Sequence, residues 1–311
     1  MRAFYSDTFR LPLPPTHTFP MEKYTRLRER VIAERILSPS DLRVPHAATD
    51  AELEHAHDAD YVRRVAAGAL DPHEIRRIGF PWSPQMVERS RRSAGATLEA
   101  SLAALEDGIA ANLAGGTHHA FRDRGAGYCV FNDTAVAALV HLRARRVRRV
   151  VVIDADVHQG DGTAAILATE ECAFTFSIHG RKNFPRVKQR SDLDIELEDG
   201  TEDAEYLEAL ERGVRIAIDE ARPDLAFYLA GADPLIGDRF GRLALTKAGL
   251  AQRDRHVLEE CRRRGIPISI AMAGGYARSV EDTVDVHVET VRRAAERRQP
   301  RTDQRDSSRT K

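Results

Sequence analysis

The sequence predicts an α/β fold built on a mostly parallel central sheet. Strand-like and helix-like segments alternate along most of the 311 residues, a pattern that implies βαβ units with right-handed crossovers. Strand segments such as Leu225-Ala226-Phe227-Tyr228-Leu229-Ala230 are apolar without interruption, as strands covered on both faces are. Chemically versatile side chains follow several of these strands, at the carboxyl ends where open α/β folds place their ligands.

The elements follow in chain order. Met21 to Leu37 predicts a helix whose apolar positions are Tyr24, Leu27, Val31 and Ile32. Thr49 or Asp50 caps a helix beginning at Ala51, and Asp58 caps another over Ala59 to Ala69. Ser83-Pro84 opens a long helix to about Asp107, because proline suits a first helical turn. Ile109 to Leu113 reads as a short strand ending at Gly115-Gly116, and Asn132 to Leu142 as a buried, alanine-rich helix. A strand over 149–154, a helix from Thr163 to Thr169 and a strand over 173–178 come next. Asp203 to Glu220 is amphipathic at helical spacing. After it come strand 224–230, helix 246–264, strand 266–272 and helix 279–297. The segment 297–311 holds six basic residues against Asp303 and Asp306 and lacks apolar periodicity. It is expected to be a disordered tail, leaving 1–296 as a single domain without internal repeats.

Composition narrows the function classes. A hydrophobic content of 42% supports a large core and excludes wholesale disorder. Lys plus Arg number 47 against 48 Asp plus Glu, a balance that offers neither a nucleic-acid groove nor a polybasic membrane face. Cys129, Cys172 and Cys261 are odd in number and widely spaced, so they form no disulfide framework, and a reducing cytoplasm is the expected compartment. Prolines at 12, 14, 15 and 20 interrupt any apolar signal core. No run approaches the ~18 apolar residues of a membrane span. The sequon Asn132-Asp133-Thr134 is therefore expected to stay unmodified. Nothing in the sequence indicates an oligomeric state.

The central motif is Asp154-Ala155-Asp156-Val157-His158-Gln159-Gly160-Asp161-Gly162, directly after the strand Arg149 to Ile153. Asp156 and His158, two apart, can turn to one side of an extended segment and offer two ligands to a divalent metal. A catalytic metal site needs about three protein ligands and an open position. Other strand ends supply Gly115-Gly116-Thr117-His118-His119-Ala120, His179, Asp233 in Gly231-Ala232-Asp233-Pro234, and Tyr276 in Ala273-Gly274-Gly275-Tyr276. Each has an ordinary reading alone: a loop ion pair, a turn-initiating Asp before Pro, chance neighbouring histidines, a packing aromatic. Cys129 reads as a small buried hydrophobe. Together they can converge in one crevice as a metal hydrolase.

Gly115 to Ala120, then Gly127-Tyr128-Cys129-Val130-Phe131-Asn132-Asp133, then the Asp154 motif resemble the successive signatures of the histone deacetylase superfamily, and Gly231-Ala232-Asp233 and Gly274-Gly275-Tyr276 follow in the expected order. That superfamily includes bacterial acetoin-utilisation-type proteins and acetylpolyamine amidohydrolases. The resemblance runs over roughly residues 1 to 295. Phe19-Pro20-Met21-Glu22-Lys23-Tyr24, Ile78-Gly79-Phe80-Pro81-Trp82-Ser83 and Gly200-Thr201-Glu202-Asp203-Ala204-Glu205-Tyr206 look most like its class IV branch. The resemblance implies a three-layer α/β/α domain of arginase/deacetylase type, with Asp156, His158 and Asp233 as ligands of one catalytic zinc ion. It implies His119 as general base and then acid, and His118 as a second, electrostatic imidazole. Asp154 and Asp161 would hold the far nitrogens of His118 and His119, and Tyr276 would donate to the oxyanion. Gly127, Tyr128, Phe184 and Gly275 would contact substrate. A structural potassium ion would be held by Asp154, Asp156, the His158 carbonyl, Ser177 and the Ile178 carbonyl. Gln159 stands where many members have a second His, Ala273 precedes only two glycines, and no acidic rim residue that grips a substrate backbone is assignable.

The implied activity is hydrolysis of an acyl group, acetyl or longer, from an amine, above all an N-ε-acyl-lysine of a peptide or protein. An amide is a poor electrophile, and zinc both polarises its carbonyl and acidifies water. The alternative substrates are acetylpolyamines or small acetylated metabolites; a cationic polyamine would favour an acidic mouth. A catalytically silent acyl-lysine-binding protein is the rival from another class, and would lack the Tyr, a ligand or the base. A binuclear manganese hydrolase would need more carboxylate ligands than this chain offers.

Overall fold

The structure, a computed structural model, describes residues 1–14 and 16–296; the expected basic tail at 297–311 lies outside the described residues. Among the described residues eight strands form one sheet: β1 (Arg2–Phe4), β2 (Leu42–Arg43), β3 (Ile109–Asn112), β4 (Val150–Asp154), β5 (Ala173–Gly180), β6 (Leu193–Leu197), β7 (Leu225–Leu229) and β8 (Ile268–Ala271). Their order is β2-β1-β3-β8-β7-β4-β5-β6, and every strand pairing is parallel. The helices are α1 (Glu22–Ala33), α2 (Asp50–Leu53), α3 (Ala59–Ala67), α4 (Pro72–Ile78), α5 (Pro84–Asp107), α6 (Asp133–Arg143), α7 (Asp161–Leu167), α8 (Asp203–Ala221), α9 (Lys247–Arg263) and α10 (Val280–Glu296).

Alternation along β4 shows how the layers arise. Val151 and Ile153 pack with Leu27 of α1, Leu210 of α8, Val257 of α9 and Val291 of α10. Val150 and Val152 pack into the opposite cluster, with Tyr61 of α3, Leu98 of α5 and Leu139 of α6. Successive strand residues point to opposite faces, so a strand buried throughout needs apolar cover on both, and helices supply it. The result is a three-layer α/β/α arrangement.

The main elements fall where periodicity put them, and the departures have local causes. The first helix stops at Ala33, four residues before Leu37, because Arg35 adopts a left-handed φ of 56° and the Ile36 and Leu37 amides fold back onto the Val31 carbonyl. Thr49 closes a capping box with Glu52, and Ser83 accepts the Met86 N–H at the start of α5. Asp58 occupies the cap position of α3 without a side-chain cap bond. The helix expected from Thr163 begins at Asp161. His179, expected after its strand, lies within β5. β1, β2, α4 and β6 are additional to the predicted elements: β1 and β2 have three and two residues, and α4 and β6 each bury a single residue, Ile78 and Leu197, so none carries a readable periodicity. Asn132 of the sequon is fully buried and caps α6, accepting the Ala135 N–H.

β4 is where the chain changes direction across the sheet. From it, β5 and β6 build to one side, and β7 lies on the other. The loops leaving β4 and β7 therefore part at their carboxyl ends, and a crevice opens there.

Candidate active site

Asp156 and His158 leave β4 and Asp233 leaves β7, on either side of that crevice. All three are buried, and one potential ligand atom from each lies within 4.8 Å of the others. His158 Nδ1 is 3.0 Å from Asp156 Oδ1 and 3.2 Å from Asp233 Oδ2. Asp233 Oδ1 accepts the Val157 N–H at 3.0 Å, whereas Oδ2 is buried without a hydrogen-bond partner. Burial and the nearby Asp156 charge push the Asp233 carboxyl up to about 7. Burial works against a charged His158, but Asp156 and Asp233 outweigh it and raise the imidazole to about 10. Two buried carboxylates converging on one imidazole, with one oxygen making no hydrogen bond, fit a cation. Two carboxylates and one imidazole are a donor set suited to zinc.

The histidine pair comes from the loop after β3. His118 donates from Nδ1 to Asp154 at 2.7 Å, and His119 donates from Nδ1 to Asp161 at 2.6 Å. Their ring centroids are 4.2 Å apart, yet their protonation is driven in opposite directions. Burial disfavours charge on His118, but Asp154 and Asp156 prevail and lift it to about 9. Burial, reinforced by the His118 charge, lowers His119 to about 4. The two neighbouring imidazoles are thus pushed apart, His118 towards its charged form and His119 towards its neutral one. Asp133, in the first turn of α6, anchors this loop; its carboxylate accepts the N–H groups of Gly116 and Thr117 and the hydroxyls of Thr97 and Thr117.

Tyr276 follows β8. Burial and Asp233 push its phenol well above the usual range, so it stays protonated. Its N–H donates to Asp238 Oδ2 at 2.6 Å, and its carbonyl accepts from Arg239 Nε at 2.8 Å. The Gly274 N–H donates to Asp156 Oδ2 at 2.8 Å. A Cβ on Gly274 would stand 1.9 Å from Asp233 Oδ2, so only glycine lets this loop lie against the cluster. Ala273 takes a left-handed φ of 54°. Gly275 is not among the residues lining the cleft; it packs towards Thr283 and Ala232, and its carbonyl accepts from buried Lys23.

His119, His158 and Tyr276 open into a cleft of about 770 Å³ that Gly127, Tyr128 and Phe184 also line. Phe184 stands edge-on to His119 with centroids 4.8 Å apart. A Cβ on Gly127 would come within 2.7 Å of the His119 ring and 3.3 Å of Phe184, which keeps the passage to the cluster narrow. Phe19 and Phe80 back Tyr128 at 5.1 and 5.2 Å, and Phe240 backs Tyr276 at 5.0 Å. Sequence reasoning assigned no role to these aromatics or to Lys23, Asp133, Asp238 and Arg239. Phe19, Lys23 and Phe80 lie in stretches that already resembled the class IV branch. Asp133 ends the Gly127 to Asp133 stretch that resembles the superfamily, whereas Asp238 and Arg239 carry no local signal.

The histone deacetylase domain model matches residues 17–291. An uncharacterised protein of Picosynechococcus sp. is 41% identical over 283 residues, 91% of this chain and 94% of that protein. Histone deacetylase 2 of Arabidopsis thaliana is 28% identical over 287 residues, 89% of this chain and 74% of its own length. Among solved structures, the crystal structure of the HDA15 HD domain superposes with a TM-score of 0.78 at 18% identity, covering 94% of this chain and 90% of that one.

Proposed function

This chain belongs to the histone deacetylase family, and from that membership we propose a zinc-dependent amidohydrolase that removes the acyl group from N-ε-acyl-lysine. The observation that carries the reading is the buried Asp156, His158 and Asp233 cluster, which shares one cleft with His119 and Tyr276. These three side chains would hold the zinc ion, whose charge would polarise the scissile carbonyl and acidify water. His119, neutral and with its Nδ1–H committed to Asp161, keeps the Nε2 lone pair free to take a proton from water and return it to the leaving amine. His118, held by Asp154, would act as the second, electrostatic imidazole beside the reacting centre. The Tyr276 phenol donates to the developing oxyanion. Gly127, Tyr128 and Phe184 enclose the lysine methylenes.

Residues 1–296 make up the catalytic domain in this proposal. A structural potassium ion at Asp154, Asp156, the His158 carbonyl, Ser177 and the Ile178 carbonyl belongs to it too. The register that sets Asp154 opposite Ser177 supports that ion. The decisive experiment pairs metal analysis with turnover of an acetyl-lysine peptide. The expected result is one zinc per active chain, and loss of both zinc and activity in Asp233→Ala. Full zinc occupancy and full activity in that variant would overturn the assignment.

A further inference from the structure

The mouth of the cleft has a charge that the chain as a whole lacks. Over 311 residues, acidic and basic side chains nearly cancel, leaving a net charge of −1. Yet, among the described residues, the cleft is lined by Arg76, Arg77, Lys182, Arg239 and Arg242 and by no Asp or Glu. The cations come from three separate places: the last turn of α4, the loop after β5 and the loop after β7. All five are exposed. One carboxylate compensates from behind: Asp199 lies 3.8 Å from Lys182 and 3.2 Å from Arg242. Among the described residues Arg76, Arg77 and Arg239 have no acidic partner. Arg76 bonds to the His73 ring, and Arg239 bonds to the carbonyls of Tyr276 and Thr18.

Arg239 shows why this is more than a diffuse positive field. Two carbonyl bonds fix its guanidinium beside the Tyr276 loop, and a guanidinium has five N–H donors. Its charge is held in place with donors to spare, a pre-organised receptor for a carboxylate. Phe184 and Phe240, 45% and 39% exposed, stand at the same mouth and give an extended peptide apolar contact between the cations.

We infer that the mouth selects acyl-lysines in an acidic peptide context: the acylated side chain enters the cleft, and flanking Asp or Glu residues engage the Arg76, Arg77 and Arg239 rim. This rests on the proposed acyl-lysine hydrolase and names its preferred substrate. It counts against acetylpolyamines, whose remaining ammonium groups would meet like charge.

The test uses the metal-loaded full chain and acetyl-lysine peptides of one length with acidic, neutral or basic flanks, assayed by kcat/KM and, in parallel, by fluorescence anisotropy binding. Each engaged carboxylate should gain about fivefold at low salt, which is the ~1 kcal/mol upper range of an exposed ion pair at 1.4 kcal/mol per tenfold. Added salt should erode the gain, because the screening length shortens to ~3 Å at 1 M. Arg76→Gln with Arg77→Gln should lose most of the preference and leave the neutral-flanked peptide within about twofold of wild type. Equal rates and equal binding for the three flank classes would overturn the inference and leave the hydrolase reading standing. A small carboxylate-bearing acyl-amine or an acetylpolyamine turned over faster than the acidic peptide would also overturn it. Acidic peptides bound preferentially but never hydrolysed would support the rim and sink the hydrolase.

Discussion

Asp238→Asn separates the positioning of Tyr276 from the metal cluster. Asp238 is 9% exposed, and its carboxylate accepts three backbone N–H groups: Tyr276 at 2.6 Å through Oδ2, and Phe240 at 2.8 Å and Gly241 at 3.0 Å through Oδ1. Asparagine has nearly the same shape but only one acceptor oxygen. If that oxygen keeps Phe240 and Gly241, the new NH₂ faces the Tyr276 N–H, donor against donor. One charge-assisted bond is lost, worth roughly 1.5–3 kcal/mol. The melting temperature should fall by about 5 °C, taking 2–4 °C per kcal/mol for a large domain. If the loss appears as displacement of the Tyr276 loop, kcat should drop about 10- to 100-fold at 1.4 kcal/mol per tenfold. The ceiling is the 10²–10³ expected from removing an oxyanion donor outright.

Steady-state kinetics on an acetyl-lysine peptide, zinc content and a thermal melt on the same preparation form the assay. Zinc content should match wild type. The double variant with Tyr276→Phe should be no slower than Tyr276→Phe alone, because both changes remove one interaction. A folded Asp238→Asn enzyme with unchanged kcat would refute the reasoning. So would a loss of activity that tracks a loss of zinc, since Asp238 would then be acting through the ligands.

Two further outcomes are expected. Tyr276→Phe should lower kcat by about 10²–10³ with zinc content and melting temperature unchanged; an unchanged kcat would remove the phenol from the mechanism. His57 should make the fold acid-sensitive. Its Nδ1–H donates to the Phe121 carbonyl at 2.8 Å and its Nε2 accepts the Asn132 N–H at 2.9 Å, so the ring is buried neutral and burial lowers it to about 4. Its contribution is complete above the unfolded value of about 6.5 and is lost as pH falls towards 4, on the order of 3 kcal/mol. Chemical denaturation of His57→Gln across that window should show a flatter pH dependence than wild type, and an identical slope would contradict the assignment.

The site was more legible than its surroundings, for reasons that can be traced to particular residues. Asp156, His158, Asp233, His118, His119 and Tyr276 all follow segments whose apolar character marks them as strands, and their residue types stand out against such neighbours. The sheet edges were harder. β1 has three residues, and β6 buries only Leu197. Neither shows the long apolar run of a central strand. Asp133 and Asp238 were missed because an Asp that gathers backbone N–H groups looks, in sequence, like any Asp near a turn. The basic mouth was hidden by the near-neutral total, as its cations are scattered from position 76 to 242.

The density of polar residues after β4 follows from the strand order. The histidine loop leaves β3 and the Tyr276 loop leaves β8, and two strands, β8 and β7, separate β3 from β4. Loops with origins that far apart converge only if something ties them together. The β4 segment supplies the ties as well as two ligand candidates: Asp154 takes His118, Asp161 takes His119, and Asp156 accepts the Gly274 N–H of the tyrosine loop. Asp156 also accepts the His158 N–H through its other oxygen, so the carboxylate facing the cluster is itself fixed. Each tie brings a neighbouring loop into register and sets the tautomer or position of the group it holds. Substitution at Asp154 or Asp161 therefore loosens a loop and changes the protonation of an imidazole together.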